Sequence, residues 1–373
     1  MAAGWSSLPA DILNEISGRL NTDADQLHAH QVCAHWRASI SPPAAYRPWV
    51  VAARQAPDGL SPVGEYSLQL PRGVPGVDFK AAPPGLPYCC GTPRGWFALA
   101  DDVRSPTRLV MWEPHSGTEI PLPCLSPVVQ VFLSSDPLES SHWMAVATKH
   151  RWPEAHILFF WRPGDAAWSG PAKVPCAELH SVEFHAGNIY CIDGMSNVSI
   201  YDLKLGTASP PVLLRCFGMR PNQASESWET RKYWKDSVRA VHVVACRGEL
   251  LLVLLFHGRR PSLMEVYRPA WTPAEWPFRV GERVTDLGDY ALFLGCGDAV
   301  ALSAKEYPAI RGNCVYYLVH NLPKYRKHWA MVYDLGTGDV DDIPYPAVHK
   351  QENGCWPYSW FCPRRPFLKK QLA

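Results

Sequence analysis

A repeated pair of apolar runs is the feature that most restricts what this chain can fold into. Each copy is a Gly-led or Trp-led run of strand length, a turn, and a second run that ends in an aromatic residue followed by Asp, Glu or Arg. The copies fall at 95–99 with 109–114, 143–148 with 157–163, 187–191 with 198–203, 248–254 with 263–269, and 312–318 with 331–335. Two such runs joined by a turn read as a β-hairpin, and a recurring hairpin cannot bury its faces alone, so neighbouring copies must pack on each other. The aromatic marks Trp112, Trp161, Tyr201, Tyr267 and Tyr333 are 49, 40, 66 and 66 residues apart, against roughly 40 to 50 for a four-stranded propeller blade. The two long intervals call for insertions, and one is visible at 219–236, a polar stretch carrying Trp228, Tyr233 and Trp234. About 290 residues at that period predict an irregular β-propeller of six or seven blades, whose closure would protect its strand edges. Two successive sandwiches or barrels are the competing all-β arrangement.

Composition agrees with short strands and many turns. There are 36 Pro and 26 Gly among 373 residues, with 16 Trp, 15 Tyr and 12 Phe in a chain only 19% charged; aromatic and β-branched packing suits strands better than long amphipathic helices. The 36 basic residues balance 35 acidic ones, so no electrostatic steer towards nucleic acid or an anionic membrane exists. No run approaches the ~18 apolar residues of a membrane span, the longest being 250–256. Residues 1–20 hold Asp11, Glu15 and Arg19 and no hydrophobic signal core, which predicts a cytoplasmic and/or nuclear protein with most of its 12 Cys reduced. The sequon Asn197-Val198-Ser199 is then without consequence.

Residues 1–50 differ in kind. Ile12, Leu13, Ile16 and Leu20 fall on one helical face after Pro9, with Asp11 near the positive end of the helix dipole. A second helix starting near Asp23 or Asp25 and a third around Trp36, ending before Pro42-Pro43, complete a three-helix module. Roughly 45 residues bury too little surface for much independent stability, so an exposed apolar stripe awaiting a partner is expected. Residues 51–77, with Pro57, Pro62, Pro71 and Pro75, read as a linker ending in an edge strand near 66–70; residues 78–368 form the strand-rich domain.

Sharp catalytic motifs are missing: there is no phosphate loop, no His-Glu-x-x-His helix and no Gly-x-Ser-x-Gly elbow. No Cys-x-x-Cys occurs, and Cys33 with His28, His30 and His35 is better explained by helical packing than by a metal. Vicinal Cys89-Cys90 reads as a strand start, and Asp101-Asp102 and Asp341-Asp342 as turn residues. No catalytic residue, cofactor or metal is assigned. Arg364-Arg365 and Lys369-Lys370 are read as a soluble basic tail.

Two stretches carry a family resemblance. Trp5-Ser6-Ser7-Leu8-Pro9-Ala10-Asp11-Ile12-Leu13-Asn14-Glu15-Ile16, Arg19-Leu20, Asp25 and Val32-Cys33-Ala34-His35-Trp36-Arg37 resemble an F-box. Cys89-Cys90-Gly91, Pro114-His115-Ser116-Gly117, Phe184-His185-Ala186-Gly187-Asn188-Ile189-Tyr190, the segments 287–295 and 311–317, and Trp360-Phe361-Cys362-Pro363 resemble the KIB-type β-propeller that follows the F-box in a large plant family. That resemblance implies a non-catalytic substrate receptor of an SCF-type ubiquitin ligase. The F-box would dock on a Skp-type adaptor, and through it a cullin-RING ligase, while the propeller captures a target protein of unknown identity. Adaptor contacts are then expected among Leu8, Pro9, Ile12, Leu13, Ile16, Val32, Cys33, Trp36 and Arg37, for each of which a place in the helical core is the other reading. Ala29 stands where many relatives carry a larger apolar or aromatic residue. Target contacts are expected at Trp228, Tyr233 and Trp234, unless those rings tuck into the propeller. A non-ligase propeller that binds a ligand or serves as a scaffold is the alternative function.

Overall fold

The computed structural model describes residues 4–20, 25, 29, 32–40, 48–54, 66–69, 83–102, 104–114, 116–127, 130–151, 155–170, 179–193, 197–207, 209–218, 238–256, 264–270, 279–295, 298–307, 310–318, 328–344 and 355–362. Two described helices, α1 (Ala10–Gly18) and α2 (Ala34–Ser39), precede the strands. The first strands are β1 (Trp49–Arg54) and β2 (Tyr66–Gln69). Five sheets then follow in chain order. The first comprises β3 (Tyr88–Cys89), β4 (Phe97–Ala100), β5 (Leu109–Glu113) and β6 (Thr118–Leu122). The second has β7 (Gln130–Leu133), β8 (Ala145–Arg151) and β9 (Ala155–Trp161), with Ser169 bridging to Phe160 where a fourth strand would lie. The third has β10 (Leu179–His185), β11 (Asn188–Asp193), β12 (Asn197–Asp202) and β13 (Val212–Gly218). The fourth has β14 (Val238–Cys246), β15 (Glu249–Phe256), β16 (Met264–Ala270) and β17 (Arg279–Val284). The fifth has β18 (Tyr290–Leu294), β19 (Ala299–Ser303), β20 (Cys314–Leu318), β21 (His328–Asp334) and β22 (Val340–Pro344), ordered β19-β18-β20-β21-β22 with β18 and β20 parallel. The last strand, β23 (Cys355–Phe361), returns to pair antiparallel with β1, giving the three-stranded sheet β2-β1-β23.

Among the described residues the blades that follow one another in the chain are therefore five, with the sheet built from both ends set beside them, and the expectation of six or seven is corrected. Dividing the length by one period counted the insertions as blades, whereas the five hairpins seen in the sequence are the middle strand pairs of the five sheets. The sheet built from both ends closes the arrangement. Its strands β1 and β2 come from the end of the stretch read as helical and from the stretch read as linker.

Packing runs round the ring sheet by sheet. Core clusters join the first blade to the second, the second to the third, the third to the fourth, the fourth to the fifth and the fifth to the closing sheet. Phe97 against Phe361, with ring centroids 4.5 Å apart, joins the closing sheet to the first blade. Sandwiching explains the unbroken apolar runs: on β15, Leu250, Leu252 and Leu254 face the third blade while Leu251, Val253 and Leu255 face the fifth. A strand buried on both faces needs no polar alternation. The hairpins β10–β11 and β14–β15 turn through Ala186-Gly187 (φ 47 and 76) and Arg247-Gly248 (φ 54 and 81), the paired positive φ values of a two-residue turn whose twist matches the strands.

Candidate functional site

The N-terminal module builds one candidate surface. Leu13, Ala29, Trp36 and Ile40 form its buried core, with Leu8, Leu20 and Cys33 packed against it. The Trp36 indole donates to the Trp5 carbonyl at 2.7 Å, and Cys33 caps α2 by accepting from the Trp36 amide. His35 Nε2 lies 2.7 Å from the Leu8 carbonyl, fixing the chain entering α1. The nine residues expected at an adaptor interface divide accordingly. Leu13 and Trp36 are buried, Leu8 and Cys33 lean on the core, and Ile16 and Arg37 are half-buried. Pro9 is exposed, and Ile12 and Val32 are 41% and 53% exposed, beside Trp5 at 74%. These last four give an apolar surface from which water is readily displaced. The expected target contacts Trp228, Tyr233 and Trp234 lie outside the described residues.

A second candidate lies where the sheets converge, and sequence reasoning named none of its residues as a site. A cavity of about 230 Å³ is lined by Phe132 of β7, Val182 and Glu183 of β10, Ala245 of β14, Val300 of β19 and Trp360 of β23, together with Thr92 and Arg94 ahead of β4. Side-chain hydrogen bonds tie the sheets where they meet this axis. Ser359 Oγ donates to Asp298 Oδ2 at 2.5 Å and lies 2.7 Å from Thr92 Oγ1, linking the fifth blade, the closing sheet and the first blade. Arg94 Nε donates to the Leu133 carbonyl at 2.9 Å, linking the first and second. Glu183 accepts from the Phe184 and Ala245 amides at 2.7 and 3.0 Å, and Ser181 Oγ accepts from the Val243 amide at 3.0 Å, linking the third and fourth.

Burial dominates the electrostatics here. It pushes the Glu183 carboxyl up to about 7, against the lowering effect of the two amides and of nearby Arg94. Asp298 is likewise raised to about 6 by burial, and its Oδ1 has no hydrogen-bond partner among the described residues. Cys89 and Cys90 are fully buried, and desolvation holds both thiols far above the range of a reactive thiolate. Cys33, Cys89, Cys90, Cys124, Cys191, Cys216, Cys246, Cys314 and Cys362 are free thiols. Among the described residues no group of three or more His, Cys, Asp or Glu side chains is placed to hold a metal ion. No described helix is long and apolar enough to cross a membrane.

Among the described residues, six sheets packed neighbour on neighbour and closed by the two ends of the strand region define a β-propeller class of protein. The sequence profile of the KIB1-4 beta-propeller matches residues 65–339, and the chain belongs to that family. It is also similar over nearly its whole length to three Arabidopsis thaliana proteins whose names carry the F-box term. At4g17565 is 24% identical, covering 91% of this chain and 90% of its own. At2g05970 is 22% identical over 97% of this chain and 96% of its own, and At3g25750 is 22% identical over 90% and 92%.

Proposed function

We propose that this chain is a substrate receptor of an SCF-type ubiquitin ligase, with no catalytic step of its own. Residues 1–50 would dock on a Skp-type adaptor and bring a cullin-RING ligase to whatever protein the propeller holds. The observation that carries this reading is the exposed apolar set Pro9, Ile12 and Val32 on a small helical module whose core, Leu13, Ala29, Trp36 and Ile40, is already closed without them. An apolar helical surface with that much left open is the kind that lies into a partner's groove. The similarity to F-box proteins over both the module and the propeller supports the same reading. Such a receptor works in the cytoplasm and/or nucleus. Residues 78–368, with strands β1 and β2 contributed from 49–69, would form the target-binding domain.

Co-purification of the full chain with a plant Skp-type adaptor tests this. The intact chain is expected to capture the adaptor stoichiometrically. An Ile12→Asp/Val32→Asp pair, which places charge on the open face and leaves the core residues in place, is expected to lose it while keeping its circular dichroism. Equal capture by both would refute the proposed interface.

A further inference from the structure

The large apolar side chains left exposed among the described residues gather mainly in two places. One is the helical module, with Trp5, Ile12 and Val32; the other is the outer end of the third blade, with Leu205 just after β12 and Val212, Leu213 and Leu214 on β13. β13 is the last strand of its sheet and pairs with β12 alone. Residues 212–216 are exposed one after another, and successive side chains point to opposite faces, so both faces of the strand are open as well as its outer edge. An open edge is a row of unpaired amides and carbonyls, a template for a further strand, and charge normally guards it. The outer strands β6, β17 and β22 follow that rule with Glu119, with Arg279, Glu282 and Arg283, and with Asp341 and Asp342. β13 instead presents three consecutive apolar residues and a single charged one, Arg215. Its pairing with β12 shifts at Leu214, after which 215–218 run in regular register with Ile200 to Asn197, leaving a straight outer edge. From 203 to 218 the sequence has no acidic residue, while Lys204 and Arg215 are basic. Two copies paired along this edge would bring like charges together, whereas an acidic segment complements it.

We infer that the outer edge of the third blade docks an extended segment of a partner protein in which apolar residues alternate with acidic ones. The segment adds a strand beside 215–218, sets apolar side chains against Val212, Leu213 and Leu214, and meets the basic edge with its carboxylates. Only the identification of that partner as a target for ubiquitination rests on the receptor reading; the surface itself uses nothing of the helical module.

Calorimetric titration of the full chain with a short capped peptide of alternating Glu and Val tests this. Two controls accompany it, one with Lys in place of every Glu and one with Pro in place of the central Val. Saturable binding of the acidic peptide is expected, and binding weaker by about tenfold or more for the controls, since Lys sets like charge on the edge and Pro lacks the amide a strand donates. A Leu213→Asp/Leu214→Asp pair, at exposed positions, is expected to keep its circular dichroism and lose the acidic peptide. Arg215→Glu is expected to reverse the preference between the acidic and Lys peptides, a change that loss of folding cannot produce. Both variants are expected to capture the adaptor as the intact chain does, and the Ile12→Asp/Val32→Asp pair to bind the peptide normally, so that failure of this edge and failure of the receptor reading are told apart. No binding of the acidic peptide to the intact chain would overturn the assignment. So would undiminished binding by Leu213→Asp/Leu214→Asp, equal binding of the Pro peptide, or a dimer in sedimentation that the same pair dissolves, which would make a second copy the occupant.

Discussion

Trp36 shows how a single side chain decides the state of a small module. Its ring closes a core whose buried apolar members, among the described residues, are Leu13, Ala29, Trp36 and Ile40, and its indole holds the Trp5 carbonyl. Removing a buried Trp costs about 3 to 5 kcal/mol, more than a unit of this size can spare. Trp36→Ala is therefore expected to remove the helical signal of the module in circular dichroism while the main melting transition of the ring stays in place. Ile12→Ala, at a position 41% exposed, is expected to leave both transitions unchanged. Glu183 makes the opposite case, a charge-bearing group held where charge is disfavoured. Its folded value near 7 lies above the ordinary carboxyl value of about 4.3, so the folded chain binds this proton more tightly than the unfolded one. The associated stability is full below about pH 4, is lost as pH rises through about 7, and does not change further above that. Glu183→Gln is expected to flatten the decline in melting temperature between pH 5 and 8 relative to the intact chain; parallel curves would contradict the assignment. None of this was visible beforehand, because a polar residue inside a strand looks the same in sequence whether it faces water or the ring axis.

At the scale of elements, what could be read in advance was local. The hairpins at 95–114, 143–163, 187–203, 248–269 and 312–335 repeat a run, a turn and an aromatic mark, and these are β4–β5, β8–β9, β11–β12, β15–β16 and β20–β21. The helical stripe was legible for the same reason: Leu13 and Ile16 are set by a 3.6-residue period, although period alone does not say which of them is buried. The outer strands carry weaker signals. β13 exposes Val212, Leu213 and Leu214, so its apolar run marks neither a core nor a period. The turns again were local. Gly248 has φ 81 with nothing within 4 Å of the place a Cβ would occupy, so its need for glycine is conformational, not steric. Gly248→Ala is expected to cost about 1 to 2 kcal/mol in chemical denaturation through backbone strain alone, with strand content unchanged by circular dichroism. A loss near zero would show that the turn rearranges.

Closure of the ring is a property of the whole molecule, and sequence periodicity could not supply it. β1 and β23 pair from Trp49↔Phe361 to Arg54↔Cys355 across some three hundred residues, a contact with no local signature, which is why the blade count was overestimated and β1 was not foreseen, whereas the edge strand expected near 66–70 is β2. Closure leaves the first blade covered by Phe361 and the fifth by Trp360, whose indole donates to the Leu294 carbonyl at 3.1 Å. Truncation after Pro344 would leave β1 paired with β2 alone and uncover both faces. It is expected to broaden the denaturation transition and lower its midpoint, since neighbouring sheets then unfold less cooperatively. On the proposed reading, the ring and the module give the molecule one surface for an assembly partner and another for whatever the propeller holds. Hydrogen–deuterium exchange of the full chain with and without a Skp-type adaptor tests that division most directly. The account expects slowed exchange in α1 and α2, around Pro9, Ile12 and Val32, and unchanged exchange in β3 to β22. Protection confined to the blades, or none anywhere at saturating adaptor, would contradict it.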